Sequence, residues 1–157
     1  MSFSEKMRES LGAGGVGLNV SPLIEEGVPV GGRLEATVTL EGGTRSAHVD
    51  GLVLRLIEAD RHWRDSEGAV ILEEDAQQLD DRRHLTAGWE RRTVAEIRVN
   101  VDEEVADSGS REVTVELDVP AECSPSTISC AHTLNVQADI KGQIDPTGNA
   151  RIRLQPA

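Results

Sequence analysis

The sequence predicts an all-β protein in which two antiparallel sheets pack face to face. Three observations indicate this fold class. Apolar and polar residues alternate in several segments, glycine or proline stands between nearly all of these segments, and only one short stretch has helical spacing. Alternation is typical of a strand with one buried face, and several such strands at short intervals favour a sandwich.

The clearest strand begins at Leu34 and ends at Leu40, with every second residue apolar. Residues 49–58 are apolar on both faces, which predicts a strand at the centre of its sheet. Glu41-Gly42-Gly43-Thr44 lies between these two strands and predicts a hairpin turn. Four further segments alternate in the same way: 95–101, 113–119, 134–140 and 150–154.

Two stretches depart from this pattern. In residues 1–12, Phe3, Met7 and Leu11 recur at helical spacing, which predicts a short amphipathic helix ahead of a single sandwich domain over residues 13–157. These three apolar side chains either pack on the sandwich or contact a partner protein. Residues 73–84 are polar and acidic, and are either a long connection between strands or an irregular edge strand.

Composition excludes several classes of partner. The 157 residues carry a formal net charge of -12, so we expect the surface to repel nucleic acid and anionic lipid. No segment is long and apolar enough for membrane insertion, and no export signal is evident. With only two cysteines, a reduced, cytoplasmic protein is expected. Lysine occurs only at Lys6 and Lys141, which fits a halophilic source or a GC-rich genome equally well.

No catalytic, cofactor-binding or metal-ligating residue is predicted. The histidines lie far apart in the sequence, at His48, His62, His84 and His132, without a chelating pair of the His-x-x-x-His type. Cys130 is expected to be buried and Cys123 half-exposed. No cysteine–histidine arrangement for nucleophilic catalysis is predicted. A metal site assembled across strands, with His62 or His84 as a ligand, stays an alternative.

Trp63 and Trp89 are candidate protein-contact residues, because each stands beside arginine and this pairing is common in binding hot spots. The competing interpretation is that each indole fills the core or an edge of a sandwich that has few other aromatic residues.

The order of turns and strands resembles the sporulation-control protein family, bacterial and archaeal relatives of the arrestins. Short motifs carry this resemblance: Val28-Pro29-Val30-Gly31-Gly32, Val119-Pro120, Pro125-Ser126-Thr127, Ala138-Asp139-Ile140 and Asp145-Pro146. It implies an immunoglobulin-like sandwich of arrestin type, and an intracellular adaptor or regulatory scaffold without known catalytic residues. Members of this family usually carry a second sandwich, so this chain resembles a short, single-domain member.

The function predicted from the sequence is a non-catalytic protein-interaction module, with unknown protein partners and no cofactor. Self-association is a further expectation to test. The alternative is a sandwich that binds a small ligand or a metal ion, including a hydrolase whose site is assembled from loops.

Overall fold

A computed structural model describes residues 15–22 and 27–157. Within these ranges the chain forms strands throughout, with one helical turn. The elements are β1 (Gly17–Pro22), β2 (Val28–Pro29), β3 (Arg33–Glu41), β4 (Ala47–Arg64), β5 (Val70–Leu72), α1 (Glu73–Ala76), β6 (Thr86–Val105), β7 (Ser110–Asp118), β8 (Cys130–Ile140), β9 (Thr147–Ile152) and β10 (Leu154–Gln155). The predicted N-terminal helix over residues 1–12, with Phe3, Met7 and Leu11, lies outside the described residues, and nothing in the structure supports it.

Two antiparallel sheets make up the sandwich, which confirms the predicted fold class. One sheet has the strand order β1-β3-β7. In the other, β4 pairs with β6 on one side and with β8 on the opposite side, and β9 follows β8. Strand β5 pairs with the end of β4 that extends beyond β8. A short parallel pair, β2 with β10, is the exception to the antiparallel pattern.

The core lies between the two sheets and is built from alternate residues of their central strands. Because neighbouring side chains of a strand point to opposite faces, each apolar–polar alternation delivers one row of side chains to the core. These rows are nearly all inaccessible to solvent: Leu34, Ala36, Val38 and Leu40 of β3, Leu52, Leu54 and Leu56 of β4, and Leu134, Val136, Ala138 and Ile140 of β8. The strands predicted from periodicity are therefore confirmed.

Strand β4 is the central strand that the apolar run over residues 49–58 predicts. It is 18 residues long and hydrogen-bonded on both sides. From Leu52 to Glu58 its even-numbered side chains are buried between the sheets, and the odd-numbered ones face outward and are half-buried.

The hairpin predicted at residues 41–44 is wrong. Strand β3 pairs with β1 and β7, so the turn after it carries the chain from one sheet to the other. Gly42 is packed closely at this crossing: its backbone N–H donates to the Gly109 carbonyl at 2.8 Å. A Cβ atom at Gly42 would lie 2.0 Å from the carbonyl oxygen of Ala106, which belongs to the turn between β6 and β7.

Two other expectations are settled by the structure. Residues 73–84 are a connection that begins with the helical turn α1, and they form no edge strand. Cys123, expected to be half-exposed, is buried at 8 % exposure and packs in the core cluster. The extent of the single domain, residues 13–157, stays a prediction.

No helix in the described part of the chain has the length and apolar character needed to cross a bilayer.

Gly42→Ala should destabilise the sandwich, because the new methyl group would overlap the Ala106 carbonyl oxygen. We expect the free energy of unfolding to fall by about 1–3 kcal/mol, the usual cost of forcing an atom into a packed site. Urea denaturation followed by circular dichroism measures this loss. Gly17→Ala is the matched control, since a Cβ there meets nothing within 4 Å. An equal effect of both substitutions would contradict the packing argument.

Candidate functional site

A shallow groove lies on the outer face of the larger sheet, centred on Trp89. The indole of Trp89 is 45 % exposed. The groove has a volume of about 170 Å³, and Trp89 shares it with Ile57 and Ala59 of β4, Ala131 and Thr133 of β8, and the arginines Arg91 and Arg151. We call these residues the Trp89 groove. At this exposure Trp89 does not fill the core, and its role as a protein-contact residue or as a residue that covers the sheet edge stays a prediction.

Strand β6 is an edge of the sheet. In residues 15–22 and 27–157, β6 forms strand pairs with β4 alone. The backbone N–H of Arg61 donates to the Ser129 carbonyl, on the β8 side of β4. Because backbone groups alternate in direction along a strand, the neighbouring Asp60 directs its N–H and C=O toward β6, where its register partner is Glu90. By the same alternation, Trp89 and Arg91 direct theirs away from β4.

Two register shifts interrupt the pairing of β6 with β4, and they divide the edge strand into regular segments. The pairing of β6 with β4 shifts register between Leu56 and Ile57, and again between Val49 and Gly51. Near the second shift, Asp102 has a positive φ of 49°. Bulges of this kind protect edges by interrupting the row of free backbone groups. Residues 86–93, which include Trp89, remain in unbroken register with β4.

Trp63, the other candidate contact residue, is held by its own neighbours. Its indole N–H donates to Glu73 Oε2 at 2.6 Å, and the Arg61 guanidinium lies over the ring, 5.1 Å from its centroid. Arg61 also forms a two-pronged ion pair with Glu73. Trp63 is therefore half-buried in an internal cluster with α1, whereas Trp89 faces solvent.

A second, buried polar cluster lies on the inner face of the same sheet. Glu58 of β4 and His132 of β8 are opposite each other in the register, and both are almost inaccessible, at 0 % and 1 % exposure. Glu58 Oε2 lies 3.0 Å from His132 Nε2. Cys130 precedes His132 by two residues, so its sulfur is on the same face, 4.0 Å from that nitrogen. We call Glu58, Cys130 and His132 the inner triad.

Glu58 and His132 each form a second contact with a residue outside the triad, and Cys130 has a carboxylate opposite it in the sheet. Arg92 of β6 donates to Glu58 Oε1 and forms an ion pair with it. Ser126 Oγ lies 2.7 Å from His132 Nδ1 and accepts the Leu154 backbone N–H at 2.8 Å. Asp60 is opposite Cys130 in the register.

These contacts shift the acidities of the cluster. Burial raises the pKa of Glu58, but hydrogen bonds from His132 and Arg92 outweigh it and lower the pKa of that carboxyl below its usual range. Burial, together with the nearby Asp60 and Glu58 carboxylates, raises the pKa of the Cys130 thiol to about 12. Glu58 is therefore ionised at neutral pH, and Cys130 is a protonated thiol with little nucleophilic character.

The inner triad lies beside a cleft. A space of about 450 Å³ opens between the β7–β8 connection and the end of β9, and its lining includes Ser126, Cys130, His132 and Ile152. Solutes could therefore approach the sulfur and the imidazole from this side, although both side chains are buried.

Sequence reasoning missed the inner triad. Cys130 and His132 are two residues apart in an alternating segment, and this spacing alone places both on one face of a strand. This pair of neighbouring residues was overlooked, and the expectation of no cysteine–histidine arrangement for nucleophilic catalysis stays a prediction. His62 and His84, the histidines named for a metal site, do not take part in the inner triad. Glu58 is 74 residues from His132, and only the strand register brings the two together.

The two antiparallel sheets define the chain as a β-sandwich protein. The chain belongs to the family described as SpoOM protein (Spo0M), which it matches over residues 4–157. Among solved structures it is similar to the crystal structure of Spo0M, sporulation control protein, from Bacillus subtilis, with a TM-score of 0.68 and 14 % sequence identity. The match covers 91 % of this chain and 50 % of that one, so this chain spans about half the length of that protein. A comparison with curated proteins gives no match.

Glu73→Gln should lower stability in a pH-dependent way. Hydrogen bonds from Arg61 hold the pKa of Glu73 at about 2, below the ordinary value of 4.5. A carboxyl with a lowered native pKa stabilises the fold above its unfolded pKa, and this contribution disappears as the pH falls from about 5 to about 2. We expect Glu73→Gln to cost roughly 2 kcal/mol at pH 7, and much less near pH 2. Urea denaturation at both pH values measures the difference.

The control for this prediction is Glu74→Gln, which neutralises the exposed neighbouring carboxylate. It should change the free energy of unfolding by less than about 0.5 kcal/mol. A loss for Glu73→Gln that stays constant with pH would show that the ion pair with Arg61 is not its cause.

Hydrogen exchange should reveal the free edge directly. The outward N–H groups of Trp89 and Arg91 face solvent, whereas those of Glu90 and Arg92 are directed toward β4. We expect the outward amides to exchange at least about tenfold faster than the inward ones, measured by NMR residue by residue. Uniform protection over residues 89–92 would show that this edge is covered in solution.

Proposed function

We propose that this chain is a non-catalytic, cytoplasmic regulatory module that binds a partner protein along β6. In this proposal an extended segment of the partner pairs with the unbroken stretch over residues 86–93, and its side chains enter the Trp89 groove. The observation that carries the proposal is a long edge strand with an exposed tryptophan at the centre of its regular part.

Backbone pairing supplies the first support. The outward N–H and C=O groups of Trp89 and Arg91 have the alternating direction that an added strand requires. Strand addition satisfies these groups without rearrangement of the sandwich. Edge strands without protection are prone to such pairing, and residues 86–93 have no bulge to prevent it.

The chemistry of the groove indicates the kind of partner. Among the described residues, no ion pair involves Arg91 or Arg151, although most other arginines near the sheet have acidic partners. Two guanidinium groups that form no ion pair with a described residue lie beside an exposed indole, and they favour a segment with an acidic side chain next to an apolar one. Tryptophan and arginine are the residues most enriched in binding hot spots. The overall charge of -12 makes this local positive site distinctive.

A binding role fits the remaining observations better than catalysis. The Cys130 thiol is protonated and buried, and the Glu58 carboxylate is already engaged by Arg92 and His132. Both cysteines are free thiols, which supports a reducing, cytoplasmic setting. Family membership adds support for a regulatory role, since the B. subtilis relative is described as a sporulation control protein.

A photo-crosslinking amino acid at position 89 tests the proposal. The full chain carrying it is irradiated in native lysate, and crosslinked proteins are identified by mass spectrometry. The matched control carries the same amino acid at position 97, because Ile97 is 43 % exposed on the other face of the same strand. We expect a specific partner at position 89 that is absent at position 97.

Binding of the identified partner is then measured with purified proteins. Trp89→Ala should weaken the affinity by about 30-fold, the effect of losing a hot-spot residue, whereas Ile97→Ala should change it less than about threefold. The outward amides of Trp89 and Arg91 should become protected from exchange in the complex. Equal crosslinking at both positions, or crosslinks only to a second copy of this chain, would contradict the proposal; the latter would establish self-association instead.

A further inference from the structure

We propose that the inner triad is a binding site for a zinc-like divalent metal ion, with Glu58 Oε2, His132 Nε2 and Cys130 Sγ as ligands. These three atoms all lie within 4.8 Å of one another, and all three residues are buried. Carboxylate oxygen, imidazole nitrogen and thiolate sulfur are the donor types that zinc combines. The site is separate from the Trp89 groove, and its test does not depend on the proposed function.

The separations between the ligand atoms fit an ion at the centre of the triad. Bonds of about 2.0–2.3 Å at tetrahedral angles place neighbouring ligand atoms about 3.3–3.6 Å apart. Glu58 Oε2 and His132 Nε2 are 3.0 Å apart, and His132 Nε2 and Cys130 Sγ are 4.0 Å apart. Both separations lie within about 0.5 Å of that range. The third, between Glu58 Oε2 and Cys130 Sγ, is at most 4.8 Å, so the two side chains would have to move closer together around an ion.

The atoms that would not contact the ion are each held by another group. Arg92 donates to Glu58 Oε1, which leaves Oε2 directed at the imidazole. Ser126 Oγ contacts His132 Nδ1, which leaves Nε2 directed at Glu58 and Cys130. Outer hydrogen bonds of this kind fix the tautomer and orientation of a metal-binding histidine.

Ion binding displaces the protons that the ligand atoms carry, and these pass to solvent. The contact of His132 Nδ1 with Ser126 Oγ does not involve a ligand atom and can persist. Ser126 Oγ also accepts the Leu154 N–H at 2.8 Å and lies 3.5 Å from the Ile152 carbonyl oxygen.

The site is accessible, although Arg151 and Arg153 also line the cleft. The cleft beside Cys130 and His132 provides an entry path and room for a water molecule as a fourth ligand. The Asp60 side chain is half exposed and lies opposite Cys130 in the register, so it places a carboxylate near the site. Arg92 is 63 % exposed along its side chain, so its positive charge is partly screened by solvent.

Titration of the metal-free protein with Co²⁺, used as a spectroscopic substitute for zinc, tests the site. We expect a sulfur-to-cobalt charge-transfer absorption in the near ultraviolet that saturates at one equivalent and disappears when Zn²⁺ is added. Cys130→Ser should abolish this absorption. Cys123→Ser is the matched control: Cys123 is also a buried free cysteine, but it is not part of the inner triad, so the absorption should persist.

Ser126→Ala tests how much the contact between Ser126 Oγ and His132 Nδ1 contributes to metal affinity. It removes no ligand but leaves His132 Nδ1 without its partner, so we expect the affinity for Co²⁺ to fall about 10- to 100-fold with the absorption band unchanged in shape. Circular dichroism of each variant shows whether it folds. If Cys130→Ser does not fold, X-ray absorption of the zinc-loaded wild-type protein decides instead. One sulfur at about 2.3 Å with nitrogen or oxygen at about 2.0–2.2 Å supports the proposal.

Three outcomes would overturn it. The first is the absence of a sulfur–cobalt band and of stoichiometric zinc in the wild-type protein, which would make the inner triad a structural hydrogen-bond network. The second is a band that depends on Cys123. The third is zinc bound by oxygen ligands alone, as surface carboxylates would bind it.

Discussion

The strict alternation of side chains along β4 is the constraint on which the rest of this structure depends. This strand is hydrogen-bonded on both sides, so its residues cannot shift by one position without exchanging the two faces of the sheet. The buried leucines Leu52, Leu54 and Leu56 hold the register, because a slip would place them in water. The same register aligns Glu58 with His132 and leaves Ile57 on the outer surface. The core, the inner triad and the Trp89 groove are therefore consequences of one pairing.

The inner triad places a charged carboxylate at the end of an apolar core, where burial without partners would be destabilising. A buried carboxylate without partners is strongly unfavourable, and Glu58 is tolerated because Arg92 and His132 approach its two oxygen atoms separately. Within the described residues, every buried side-chain nitrogen and oxygen has a hydrogen-bond partner. Such a network holds β4, β6 and β8 in one arrangement, since removal of any member leaves a charge or donor unsatisfied. An apolar cluster would fill the same volume without fixing the positions of donor atoms.

The sequence contains the information for strands that face the core, and much less for those at an edge. Residues 34–40 and 134–140 alternate because one face of each is dry, so periodicity predicts them. Residues 86–93 are exposed on both faces and show no alternation; their strand character comes from pairing with β4, which no local pattern encodes. The Gly42-Gly43 turn has hairpin composition, yet the chain crosses to the other sheet because β7 occupies the position beside β3. Likewise, Cys130 and His132 were recognisable as neighbours on one face, but Glu58 was not.

The two candidate sites lie on opposite faces of one sheet. On the strands that contribute to both sites, the residue of one site is the sequence neighbour of a residue of the other. Glu58 faces inward and Ile57 outward on β4, and Arg92 and Arg91 repeat this relation on β6. A side-chain substitution on one face leaves the atoms of the other face in place as long as the backbone pairing persists. The backbone is nevertheless shared, so an added strand at the β6 edge would restrain Arg92 as well as Arg91. Effects on the two sites should therefore be additive for side-chain truncations, and non-additive for changes that disturb the pairing of β6 with β4.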